Sequence, residues 1–160
     1  DVCWRPDAEA NSIGWLIWHL TRVQDDHVAG VAGSEQVYGD WADAFDLPYG
    51  DDMGFGMTSE QVAAFRISSP KLLSDYYAAV HARTLEFLPT LTDADFDRIV
   101  DERWDPPVTL AVRLVSVVNE TAQHIGQAGY VRGLLERATG RASSWQGYAS
   151  PTPTAQPDQT

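Results

Sequence analysis

Three long stretches of the chain repeat their apolar residues every three to four positions, the period of an α-helix with one buried face. The first is predicted to run from Asn11 or Ser12, either of which can cap it, to about Ala32, where Gly33 ends it. Its apolar stripe is Ile13, Leu16, Leu20, Val23, His27 and Val31. The second opens at Ser69-Pro70, an N-cap followed by proline at the first helical position, and reaches about Leu88. Leu73, Tyr76, Tyr77, Val80, Thr84 and Phe87 form its inward face. The third spans about Val108 to Ala138 and stops at Gly140, with Leu110, Leu114, Val117, Thr121, Ala128, Val131 and Leu135 facing inward. Two shorter helices are expected, from Ser34 to near Phe45 and from the capping box Thr58-Ser59-Glu60-Gln61 to about Arg66. The Gly-, Asp- and Pro-rich stretch from Leu47 to Met57 reads as an irregular surface loop, and Asp25-Asp26 as a solvated helix face. Thr92 to Asp95 is expected to form one helical turn. Arg98 to Pro107 reads as extended, and Pro106-Pro107 bars helix until Val108.

No segment shows a convincing strand pattern, so the fold class is all-α. Three long helices are one short of a four-helix bundle, and the fourth is expected from a segment ahead of Asp1 or from a second subunit. The bundle is assigned to residues 1–138. The Ser/Pro/Thr/Gln-rich remainder, 139–160, is expected to be disordered or loosely packed.

Length and charge narrow the function classes. A chain of 160 residues suits one domain with a single core. Its net charge of −12 argues against binding nucleic acid, which requires a basic surface. No apolar run approaches the ~20 residues of a membrane span, and no basic-then-apolar leader is present, so a cytoplasmic location is expected. The single cysteine, Cys3, excludes an intrachain disulfide and a cysteine-built zinc site, and reads as an incidental thiol.

Candidate chemistry lies in Asn119-Glu-Thr-Ala-Gln-His-Ile-Gly-Gln127, where Glu120 and His124 are four residues apart and share a helix face. At about 100° per residue, His124 falls about 40° from the centre of the apolar face and Glu120 about 80°. The spacing leaves two readings open: an ordinary hydrogen-bonded helix pair, or two ligands awaiting a third from another helix. His19, at the margin of the first helix's stripe, is the candidate third. Three such ligands with positions left over suit a catalytic divalent metal, zinc being the first choice, with nickel or ferrous iron as alternatives. His27 reads as a core histidine, and His81 is given no role. Gly126, Gly129 and Gly133 cost about 1 kcal/mol each in a helix interior; close approach of a neighbouring helix or subunit would offset that.

Both helix motifs, Asn11-Ser-Ile-Gly-Trp-Leu-Ile-Trp-His-Leu-Thr-Arg-Val-Gln-Asp-Asp-His27 and Asn119 to Gln127, resemble those of the DinB-like superfamily of four-helix-bundle metalloenzymes. The nearest likeness is to its actinobacterial, mycothiol-dependent branch, which includes maleylpyruvate isomerase. The resemblance covers most of residues 4–138 and implies that His19, Glu120 and His124 are the metal triad, with glutamate first and histidine second as in that branch. It also implies that the family's first helix is lacking here, and that the chain forms a homodimer. The implied activity is thiol transfer or isomerisation, in which mycothiol or a similar small thiol binds the metal as thiolate and attacks an electrophile, with Arg113 steering an anionic substrate. A metal-binding stress-response dimer without catalysis, and a metal-dependent hydrolase, are the alternatives.

Overall fold

The computed structural model describes residues 1–141, which include three long helices. Helix α1 (Ile13–Ala32) is capped by Ser12, whose side chain accepts from the Trp15 N–H, and ends at Gly33 with φ 68°. After it come α2 (Ala42–Phe45), α3 (Ser59–Ala63), α4 (Pro70–Phe87) and α5 (Leu110–Ala138). Between α4 and α5 lies an antiparallel hairpin, β1 (Ile99–Asp101) with β2 (Val108–Thr109), pairing Ile99 with Thr109 and Asp101 with Val108. This mostly helical architecture agrees with the all-α expectation, to which the small hairpin is an addition. Val108 belongs to β2, and α5 begins at Leu110 because the Thr109 hydroxyl caps it by accepting from the Val112 N–H. The helix expected from Ser34 to Phe45 is broken into a 3-10 turn, Val37–Asp40, followed by the single turn of α2.

Helix α1 occupies the centre, packed against α5 on one side and α4 on another. That position explains why its burial exceeds the predicted stripe. Trp15, Leu16, Trp18 and Leu20 are buried, and so are the polar Thr21, Arg22, Gln24 and Asp25. Trp18 is wholly enclosed among Tyr49, Phe65 and Trp15. Truncating a side chain of that size in such a setting costs about 3–5 kcal/mol.

Asp25 overturns the reading of Asp25-Asp26 as a solvated face, being only 3% exposed. Its carboxylate accepts from the N–H groups of Val37 and Tyr38, at 2.9 and 2.8 Å, and from the Tyr76 hydroxyl at 2.8 Å. It therefore caps the 3-10 turn and ties α1 to α4. Arg22, 1% exposed, donates to the Gln36 side chain and to the carbonyl of Asp51, and lies over the Tyr38 ring. A polar girdle on α1 thus fastens the connecting segment down. It is unreadable from hydrophobic period alone, because its donors and acceptors come from distant parts of the chain.

Helices α4 and α5 make little contact with each other. An apolar groove runs between them over α1, walled by Ile17, Leu20, Leu73, Tyr77, Thr121 and Ile125. Gly126 and Gly129 have open space where a Cβ would stand, so no element among the described residues approaches them closely. The expectation of disorder for residues 139–160 falls, beyond Arg141, outside the described residues.

Candidate metal centre

Helix α5 presents Glu120 and His124 one turn apart, and α1 brings His19 against them from the core. The Glu120 Oε1 lies 3.2 Å from His19 Nε2 and 2.9 Å from His124 Nε2. The two imidazoles meet edge to face at 4.9 Å. One ligand atom from each residue falls within 4.8 Å of the others, a grouping that could hold a metal ion.

The direction in which each ring is held follows from its other nitrogen. His19 Nδ1 is 2.5 Å from the carbonyl oxygen of Met53, which can only accept, so Nδ1 carries the proton and Nε2 keeps a lone pair in the neutral ring. His124 Nδ1 is 2.8 Å from the Gln127 Oε1, an acceptor that favours the proton on Nδ1 there too. Two imidazole lone pairs and a carboxylate oxygen therefore converge with no donor among them. Such a set of acceptors is complementary to a cation, and imidazole with carboxylate is the donor set of zinc, nickel or ferrous iron. Burial lowers the His19 pKa, outweighing the Met53 hydrogen bond and the Glu120 charge that favour protonation. The ring is thereby kept in its ligand form.

Behind His19, Trp15 stacks on the imidazole at 4.8 Å. In front, the loop carrying Met53 is pressed onto it. Arg22 anchors that loop at Asp51, and the Asp52 side chain accepts from the Gly54 N–H at 2.7 Å. Gly54 has φ 99°, and a Cβ there would lie 2.8 Å from His19 Nδ1 and 3.1 Å from each of the Trp15 and Trp18 rings. Glycine is required on both counts. The segment read as an irregular surface loop is thus what orients the buried histidine. The Asp52-Met53-Gly54 sequence carried a turn signal, yet nothing in it pointed to His19.

A cleft of about 530 Å³ opens beside Glu120 and extends to Arg113. His27, expected in the core, is half-buried on its wall, with Nδ1 3.0 Å from Asp26 and Nε2 3.2 Å from Arg113. His81 stacks on Tyr77 on α4 and takes no part in the triad. Cys3 lies in the N-terminal segment against the core and is likewise no part of it.

The model of the DinB superfamily matches residues 1–128. The chain belongs to the DinB superfamily. Among solved structures, a conserved protein of Enterococcus faecalis is similar over 88% of this chain and 82% of its own, with 31% identity and a TM-score of 0.78. Comparison with curated proteins finds no match. Membership in the superfamily accounts for the helical architecture, while the mycothiol-dependent branch is a finer assignment that these likenesses do not reach. No helix among the described residues is long and apolar enough to cross a membrane.

Proposed function

We propose that this DinB-superfamily chain is a metal-dependent transferase or isomerase that uses a small thiol, mycothiol or a relative, at His19, Glu120 and His124. The observation that carries the reading is the convergence of two imidazole lone pairs and a carboxylate oxygen beside an open cleft. A divalent ion held there, zinc by preference, would supply Lewis acidity, making a coordinated thiol or water nucleophilic near neutral pH. The protein's own residues supply the rest. Met53 and Gly54 hold the His19 ring in its ligand orientation, Trp15 backs it, and Met53, Phe55 and Val23 line the approach. The triad contains no cysteine, so the thiol is a co-substrate.

The reading includes a cytoplasmic homodimer. Support for a subunit contact comes from α5, where Val115, Val118, Ile125 and Tyr130 are each more than half exposed.

The direct test is an assay of zinc-loaded protein with mycothiol and an electrophile such as maleylpyruvate or a monohalobimane. Thiol-dependent product from the wild type, lost in His124→Ala, is the expected result. Turnover with water alone would replace the proposal by a hydrolase. Bound metal without any turnover would leave a metal-binding dimer.

A further inference from the structure

The end of the cleft away from Glu120 is built from charged groups whose hydrogen bonds do not balance. Asp101, 8% exposed, receives Arg103 N and Nε on Oδ1, and the Nη2 of both Arg103 and Arg113 on Oδ2, at 2.9–3.0 Å. Both oxygens are thus fully used, and these contacts hold the carboxyl well below its ordinary pKa. Asp26, the other nearby carboxylate, is also engaged through both oxygens, by Gln36 and by His27. Each arginine has five N–H donors and spends two of them here, Arg113 on His27 and Asp101, Arg103 on Asp101 alone through its side chain. The Arg113 side chain is 17% exposed, and its Nε is not sealed from solvent, since among the described residues only Trp15, Trp18 and Arg22 bury an unpartnered side-chain nitrogen. The cluster therefore carries more N–H donors than its two carboxylates can accept.

Between this cluster and Glu120 the walls are mainly apolar, with Ser116 of α5 the one polar side chain between Arg113 and Glu120. Val23 and Met53 line them, and two aromatic side chains, Trp104 at 65% and Phe55 at 87% exposure, stand over the opening. Aromatic groups so exposed around a polar-ended cleft mark a surface that a ligand covers. Arg113 precedes Glu120 by seven residues, two turns of α5, which places the two ends about 10 Å apart along the helix.

We propose that this cluster is a carboxylate subsite, and that the molecule processed at the triad, substrate or co-substrate, is a small organic acid with an apolar or aromatic body. The acid end lies in the fork of Arg113 and Arg103, the body rests on Trp104 and Phe55, and the other end reaches Glu120. The assignment of the far end as the reacting end rests on the proposed function, whereas the carboxylate preference is a property of the cluster alone.

The test separates the two. Metal-free, ¹⁵N-labelled full-length protein is titrated with 3-phenylpropionate and, in parallel, with 3-phenylpropan-1-ol, following the Trp104 indole and Arg113 Nε–H signals. The acid is expected to bind at least fivefold more tightly than the alcohol and to shift both signals. Arg113→Gln should abolish that preference and Arg103→Gln should reduce it at least threefold. Arg113 also ties β1 to α5, so Arg103→Gln, at a side chain 86% exposed, decides the matter if the other variant loses its fold. Equal binding of acid and alcohol, or a preference that survives Arg103→Gln undiminished, overturns the subsite. Failure of the metal reading would appear elsewhere, as absent zinc uptake in a protein that still prefers the acid.

Discussion

The carbonyl of Met53 decides which nitrogen of His19 faces Glu120 and His124, so the triad depends on a backbone group outside it. Substituting Gly54 by alanine would set a Cβ 2.8 Å from His19 Nδ1 on a backbone with φ 99°. A loss of about 1–3 kcal/mol is expected, together with weaker zinc uptake as the Met53 carbonyl moves away. Urea unfolding and a zinc titration of Gly54→Ala check the two effects separately. Burial of His19 has a consequence for pH as well. Its folded pKa is lowered, so as pH falls through about 6.5 the unfolded chain takes up a proton that the folded chain refuses until lower pH. Stability from this group is whole above that pH and is lost on acidification. The metal-free wild type should therefore lose urea stability between about pH 7 and 5 more steeply than His19→Gln. Parallel slopes for the two proteins would contradict this.

Among the elements, the connecting segment between α1 and α4 is stabilised by charges that helical periodicity does not reveal. Asp25 accepts three hydrogen bonds in a buried setting, and Asp25→Ala leaves the Val37 and Tyr38 N–H groups and the Tyr76 hydroxyl without it. We expect a loss of about 3–5 kcal/mol, measured as a drop in urea midpoint, whereas a loss under 1 kcal/mol would mean that the girdle is dispensable. The long helices were legible because each combines a period near 3.6 with a specific start signal. Ser12 and Ser69-Pro70 mark the starts of α1 and α4, Pro106-Pro107 bars helix ahead of α5, and Gly33 closes α1 in the left-handed region. The Thr109 cap that sets the start of α5 at Leu110, by contrast, is seen only in the structure. What escaped sequence reading depends on long-range pairing. Asp25 looks like any helix-surface acid until the Tyr38 N–H and Tyr76 hydroxyl are brought to it from other elements. The β1–β2 hairpin is too short for alternation to register, and Asp101 matters only once Arg103 and Arg113 flank it. For the triad, spacing alone joined Glu120 to His124. Bringing His19 to them required two helices to cross at the right height, which no local pattern encodes.

The whole molecule keeps its core around α1 and leaves apolar residues of α5 facing outward. Val118 is 68% exposed and Ile125 53%, seven residues apart on one side of the helix. The homodimer proposed above gives those residues a partner. Light scattering should report twice the chain mass for the wild type, and Val118→Glu with Ile125→Glu should shift it to the monomer while the helical circular dichroism stays unchanged. A wild-type monomer at micromolar concentration would remove the dimer from the account without touching the triad. The triad is the central claim, and metal analysis of protein purified without an affinity tag tests it most directly. After dialysis, the wild type should retain close to one equivalent of divalent metal per chain, and His19→Ala should retain almost none. A metal-free wild type that takes up no added zinc, or an unchanged content in His19→Ala, would contradict it.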